Sequence, residues 1–532
     1  MTSADLNFRT EDIDPREIGE FFVETETDRA TIETLKTKRT VVIQGARGVG
    51  KSFLLRVTQS ELERDFGKLR ILPVYLTFNK AGLLRTTDPE RFKHWMLAKI
   101  CNRVMRAARQ KGLVSSTTTV FSSLVRDSSD EAVEHRLTQL EEALEASWKS
   151  RESQVAFDSG LNPESITDAI EDLCSAADLR RVVLLIDEAA HVFIPEQQRQ
   201  FFTLIRDLRT PYVSVKAAVY PGVTYFGDSF QMSHDAELID VNRDILDDEY
   251  LQSMREMVAR QDKTLATAIE RYGEAFDALA YSASGNPRIL MRTISEALPF
   301  NSNNVQKVMR EFYRIKIWSE HTDLGGRYSG HRELIDWGRE FITRTVLPGL
   351  DSAKGEELDA RVFIWIHRDA PASVREALRL LCYSGILHEA GTGLVATRGN
   401  IGTRYMLNVG TRTGRDSNPI AMTTKLRRAI SIKKMVEFGA NHHAYAEISR
   451  IDVSQIDPGQ NELLEKQLAK SVDGLVLTSF CRSKLKELGF DTVGKALAAS
   501  EEDFRKAKWV GEVRSRQMMN AATEAVLEYL SG

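Results

Sequence analysis

Cysteine is scarce in this chain of 532 residues, with only Cys101, Cys174, Cys382 and Cys481, far apart and with no CxxC pair or Cys/His cluster. That spacing argues against a zinc module and against a disulfide framework. Long apolar runs are missing too: none approaches the roughly 18 residues that a membrane-spanning helix needs. Met1 to Thr10 is acidic and polar where a leader would be basic and then apolar. The expectation is a cytoplasmic protein without a membrane segment. There is no surplus of basic charge either, since 72 Lys and Arg face 76 Asp and Glu for a net charge of -4. Any nucleic-acid contact must therefore come from a local patch. Hydrophobic residues at 42% and charged residues at 28% are ordinary for globular chains, and the length predicts several domains.

What is present begins at Thr40 to Gln44, a short β-branched run followed by Gly45, Ala46, Arg47, Gly48, Val49, Gly50, Lys51 and Ser52. This matches G-x-x-x-x-G-K-[ST] at every fixed position, and Phe53 then opens a helical pattern. Glycines let backbone N–H groups turn inward to phosphates, and the helix start adds its positive end. The segment Gly45 to Phe53 is the expected cradle for ATP. Lys51 is expected to reach the β- and γ-phosphates, and Ser52 to hold Mg2+ through its hydroxyl.

Arg181 to Ile186 is a second apolar run, ending in Asp187 and Glu188. It reads as a buried parallel strand whose tip faces the ligand crevice. Asp187 is the expected metal-shell carboxylate and Glu188 the group that polarises the attacking water. Tyr212 to Val219 alternates like a neighbouring strand. Gly285, Asn286, Pro287 and Arg288 precede an amphipathic helix, placing Arg288 to reach back to the γ-phosphate.

Phe21-Phe22-Val23 with Thr25, then GARGVGKS, LLIDE and SGNPR, resemble the AAA+ ATPases of the origin-recognition and initiator clade, with signal-transduction NTPases as neighbours. The resemblance covers about residues 12–300. It implies an α/β fold with a sandwiched parallel sheet, a helical lid carrying a sensor 2 arginine at Arg288, and ATP hydrolysis coupled to conformational change or assembly, including a homo-oligomer. Arg206 and Arg209 lie near the end of the helix after Asp187-Glu188, where the family usually places an arginine finger, and each reads equally as a surface arginine. Val219-Tyr-Pro-Gly-Val departs from the family, which usually has an asparagine there; Tyr220 or Thr224 stands in its place. The expected domains are 1–240 for the nucleotide-binding part, with a helical insertion at about 80–162, and 241–345 for the lid. Within the insertion, Ala132 to Trp148 reads as a charged amphipathic helix, either a solvated face or a partner-binding device.

Residues 346–410 are expected to form a winged-helix-like α+β domain, with a helix from Ala372, then a two-stranded ribbon. Arg375 and Arg379 would face a DNA groove, with Arg398 in the wing; a winged helix used for protein contacts is the alternative. Residues 411–470 read as a basic linker, in which 411–450, with eight basic against three acidic residues, is either a phosphate-backbone patch or a solvated stretch. Residues 471–532 resemble tandem helix-hairpin-helix domains, such as the C-terminal domain of the RNA polymerase α subunit. There, N–H groups of Val510, Gly511 and Val513, with Lys508, Arg514 and Arg516, would hold DNA phosphates without regard to sequence. Glu512 departs from that pattern, and a protein partner is the other reading. The expected partner is duplex DNA.

Overall fold

Short apolar runs separated by helical stretches build the first half of the chain into one parallel sheet. Strands β1 (Val41–Gln44), β2 (Ile71–Thr77), β3 (Arg181–Asp187), β4 (Val213–Val219) and β5 (Glu237–Asp240) lie in the order β2-β3-β4-β1-β5. Every neighbouring pair is parallel. The computed structural model describes residues 6–7, 10–78, 89–113, 137–139, 141–143, 161–188, 195–221, 224, 226–227, 230–327, 329–352, 361–395, 399–452 and 467–531.

Parallel strands require crossovers, and these put helices on both faces of the sheet. Helices α1 (Lys51–Arg64), α2 (Pro89–Gln110), α3 (Pro163–Ala176) and α4 (Pro195–Asp207) supply them. Side chains alternate along a strand, and β3 shows the consequence. Val183 and Leu185 enter the core with Leu54 and Leu55 of α1, while Leu184 and Ile186 enter the opposite core with Trp95 of α2 and Phe202 of α4. The expected sandwich is present. The expected charged helix over 132–148 lies mostly outside the described residues, although Glu141 is placed, beside Lys99 at 3.2 Å.

The lid follows as α5 (Tyr250–Gln261), α6 (Lys263–Arg271), α7 (Gly273–Ser282), α8 (Pro287–Glu296) and α9 (Ser302–Glu311). A second sheet contains β6 (Phe363–His367), β7 (Leu387–Val395), β8 (Ile401–Leu407) and β9 (Met435–Phe438), ordered β7-β8-β6-β9, and α10 (Ala372–Tyr383) precedes its β7–β8 ribbon. One hydrophobic core runs without a break from Ile245 of the lid to Ile448 beyond β9. Helices α5 to α9 and the second sheet with α10 are thus packed as one body. The stretch read as a linker from residue 411 is folded into that body, through α11 (Val409–Thr413), α12 (Pro419–Ala429) and β9, which pairs parallel with β6. Its basic charge is partly used internally. Arg412 is buried and donates to the carbonyl of Leu350 at 3.2 Å, and Arg427 pairs with Asp277 at 2.8 Å.

A separate core organises the C-terminal unit around Leu485, Phe504 and Met518. Its helices are α13 (Ser479–Glu487), α14 (Val493–Ala498), α15 (Glu501–Arg505) and α16 (Glu512–Ser531). Gly489, with φ of 84°, makes the first turn, and Ser500 with Asp503 forms a capping box at α15.

Candidate nucleotide site and nucleic-acid interface

The carboxyl ends of β1, β3 and β4 converge at one edge of the sheet, where a switch in strand order leaves a crevice. A cavity of about 1040 Å³ opens there, lined by Phe22, Val23, Phe53, Asp187, Glu188 and Arg288 among others. The rings of Phe22 and Phe53 stack at 5.9 Å, forming an apolar slot at one end. At its outer side the cavity meets Leu475 and Asn520 of the C-terminal unit.

Lys51 opens α1 and is buried, its Nζ donating to the carbonyls of Gly45 at 2.6 Å and Ala46 at 3.0 Å. Burial pushes its pKa down to about 7, opposed by the Asp187 carboxylate and reinforced by Arg288 and Arg47. An ammonium held this way is poorly solvated and gains most from an incoming anion. Gly50 has φ of 106°, and a Cβ there would point into open space, as a phosphate cradle requires. Asn242 fixes the loop from outside by accepting from the Ala46 N–H at 2.9 Å.

The carboxylate pair is held by β2. Tyr75 donates its hydroxyl to Asp187 at 2.6 Å, and Thr77 donates to Glu188 at 3.3 Å. Glu188 has φ of 51°, a left-handed conformation seldom adopted by such a residue and typical of sites where the fold over-determines the backbone. Tyr75 and Thr77 escaped the motif reading, because no fixed spacing links them to Asp187. The polar tip of the ILPVYLT run was the available signal.

The segment Ser284 to Arg288 touches three parts of the chain. Asn286 caps α8 through the Ile289 N–H at 3.2 Å and donates to the carbonyl of Arg47 at 2.6 Å. A Cβ on Gly48 would stand 2.7 Å from the Cβ of Arg288, so the lid and the phosphate loop are in close contact. At the other end Ser284 accepts the Val409 N–H at 2.8 Å, reaching the first residue after β8 and its linking turn. Tyr220, expected at the sensor 1 position, places its ring 4.1 Å from Lys51 Nζ and 5.7 Å, edge-on, from the ring of Tyr383 on α10. Thr224 is turned to the Tyr220 carbonyl at 2.7 Å.

The predicted DNA-facing arginines fall differently. Arg375 is exposed, and donates to the Arg368 carbonyl at 3.2 Å. Arg379 is turned inward, to Glu376 at 2.9 Å and the Thr224 carbonyl at 3.4 Å, so it packs against the nucleotide domain instead of facing a groove. The physical reason is burial of α10 on nearly every side. Arg398 lies outside the described residues. Arg206, the finger candidate, pairs with Asp207 at 3.2 Å; Arg209 is exposed. In the C-terminal unit Lys508, Gly511, Arg514 and Arg516 are all exposed. Val510 uses its N–H on the Ala507 carbonyl at 3.2 Å and is not available to a phosphate, whereas Gly511 and Val513 sit at the start of α16, where amides lack intrahelical acceptors.

The parallel sheet, with Gly45 to Ser52 between β1 and α1, has the arrangement of a P-loop nucleotide-binding fold. Residues 6–260, a little under half the chain, match the family model described as ORC-CDC6-like. No curated protein matches the chain in sequence. Among solved structures it is similar to the Walker-type ATPase paby2304 of Pyrococcus abyssi at 15% identity, covering 80% of this chain and 100% of that one with a TM-score of 0.37. It is also similar to the ORC1 protein of Aeropyrum pernix in complex with DNA, at 12% identity, 79% and 95% coverage and a TM-score of 0.27. No helix among the described residues is long and apolar enough to cross a membrane.

Proposed function

We propose that this chain binds ATP with Mg2+, hydrolyses it to ADP and phosphate, and uses its nucleotide state to control engagement of DNA by its C-terminal parts. The donor set fits the ligands. Lys51 would meet the phosphates, while Ser52 and the Tyr75-held Asp187 would hold the metal, so no cluster of several protein carboxylates would be required. Bound Mg2+ would neutralise charge developing on the phosphates. Glu188, oriented by Thr77, would position the attacking water, and Arg288 would carry the lid onto the γ-phosphate.

The observation that carries the coupling is the Ser284 to Arg288 segment, which grips the carbonyl of Arg47 in the phosphate loop at one end and the Val409 N–H beyond β8 at the other. The Lys51, Tyr220 and Tyr383 contacts give a second route from the phosphates to α10. Differential contacts of this kind are what a nucleotide must have to shift a two-state element. The test is duplex binding by the full chain across a salt series with ATP, with ADP and without nucleotide. ATP is expected to change the DNA affinity of the wild type about fivefold or more, and Lys51→Ala to lose both tight ATP binding and that change. A folded Lys51→Ala protein with wild-type ATP affinity would remove the phosphate-loop assignment. Salt-insensitive association with a protein instead of DNA would favour a nucleotide-gated scaffold.

A further inference from the structure

Phosphate holding leaves one feature of the C-terminal unit unused. Among the described tryptophans, Trp95, Trp318 and Trp365 are buried and Trp337 stacks on Phe341 at 4.8 Å, whereas Trp509 is 72% exposed. It occupies the hairpin before α16 with φ of 72°, a conformation that bulky residues seldom take. Arg514, in the first turns of α16, donates to the Trp509 carbonyl at 2.6 Å and so ties the hairpin to the helix.

Cations alternate with aromatic faces around it. Lys508 Nζ stands 5.9 Å from the centre of the Trp509 ring, and the Arg514 guanidinium lies 4.8 Å from the ring of Phe480, itself 37% exposed. Two carboxylates of this unit are turned to other cations, Glu512 to Arg505 at 4.0 Å and Glu501 to Arg516 at 3.9 Å. A ligand complementary to this corner must alternate negative charge with flat π-faces, as bases and phosphates do along a nucleic-acid strand. A base in a duplex is covered above and below by its neighbours, so only an unpaired one offers its face to an indole.

We propose that Trp509, with Phe480 beside it, is a stacking platform for an unpaired base of single-stranded DNA, with Lys508 and Arg514 holding the flanking phosphates. The proposal rests on the DNA reading given above and deepens it: the hairpin would prefer melted or unpaired DNA to intact duplex.

The experiment compares a thymidine oligonucleotide with a duplex of unrelated sequence, using full-length wild type, Trp509→Ala, Trp509→Phe and the Lys508→Ala/Arg514→Ala double variant, with thermal melting as the folding control. In the wild type the oligonucleotide should quench tryptophan emission. Trp509→Ala should lose single-strand affinity by about ten- to a hundredfold while duplex affinity stays within about twofold, and Trp509→Phe should retain most of the single-strand affinity. Trp509→Ala with wild-type single-strand affinity overturns the platform. If the double variant nonetheless weakens duplex binding, the DNA reading survives that loss. Equal weakening on both strand types in Trp509→Ala also overturns it, since the indole would then be supporting the hairpin. Absence of wild-type binding to either nucleic acid overturns both readings together and points to a protein ligand.

Discussion

Lys51 and Lys508 each stand beside an aromatic ring, Tyr220 at 4.1 Å and Trp509 at 5.9 Å, yet their surroundings are opposite. Lys51 is enclosed by the phosphate loop, its proton affinity lowered by burial. Lys508 is in solvent beside an exposed ring. An enclosed cation suits one small, highly charged ligand at a fixed place, where desolvation makes each contact strong. Exposed cations suit an extended polyanion, whose binding is spread over many weak contacts and screened by salt. The second sheet with α10 and α11 belongs with the first case, because Arg379 and Arg412 are directed to internal acceptors. Substitutions should therefore separate nucleotide effects from DNA effects along this line.

The largest separation is expected from Glu188→Gln. On the proposed function the carboxylate that would orient water is lost while Asp187 and its Tyr75 partner remain, so phosphate release at saturating ATP should fall about 10²- to 10⁴-fold with ATP still bound. DNA binding in the ATP state should persist. Undiminished turnover would make Glu188 a strand end and nothing more.

On the exposed side, Lys508→Ala/Arg514→Ala/Arg516→Ala should weaken duplex binding about equally for unrelated sequences and flatten the salt slope by up to ~3 units. ATP turnover without DNA should not change. A normal slope and affinity on two duplexes would take these charges out of the DNA account. The paired effects are informative because the two regions have separate hydrophobic cores.

A smaller effect contrasts two arginines four residues apart. Arg379→Ala removes a cation from the buried Glu376 and from the Thr224 carbonyl, and should lower folding stability by about 1 kcal/mol or more. Arg375→Ala, on the exposed side of α10, should stay within about 0.5 kcal/mol. Denaturant melts check both. Equal stability of the two variants would contradict the inward role of Arg379.

These contrasts also mark what was legible in the sequence. Gly45 to Ser52 and Asp187-Glu188 could be read because their chemistry is fixed by local spacing. The second carboxylate's partner could not, since Thr77 lies 111 residues earlier across a long insertion and meets Glu188 only through strand pairing. The basic residues over 411–450 suggested an open phosphate-binding patch because charge was counted without burial. Arg412 is interior, and four-residue β9 is too short to announce itself. Alternation over Tyr212 to Val219 placed β4 beside β3, as it is, without foretelling how deeply it is buried. All seven residues are buried, with Lys216 reaching the carbonyls of Thr37 and Arg39 at the strand's edge.

The smallest predicted effect follows from the enclosed state of Lys51 itself. Its pKa in the protein is lowered to about 7 by burial, with Arg288 and Arg47 adding to the shift against Asp187 and Glu188. A polyphosphate arriving beside Nζ favours the charged form and raises that value, so the complex binds more protons than the free protein wherever the pH lies above about 7 and below the pKa in the complex. Below that window Lys51 is already charged and nothing is taken up. Within it, affinity should fall as pH rises, by at most about tenfold per pH unit, with uptake approaching one proton. Calorimetry of ATP binding at pH ~6 and ~8, in buffers of different ionisation enthalpy, measures the uptake directly. Lys51→Arg should abolish this Lys51-linked difference, because a guanidinium stays charged throughout. Equal uptake at the two pH values in the wild type, or an unchanged difference in Lys51→Arg, would mean that Lys51 is already charged before the nucleotide arrives, and the contrast with Lys508 would then be one of geometry alone.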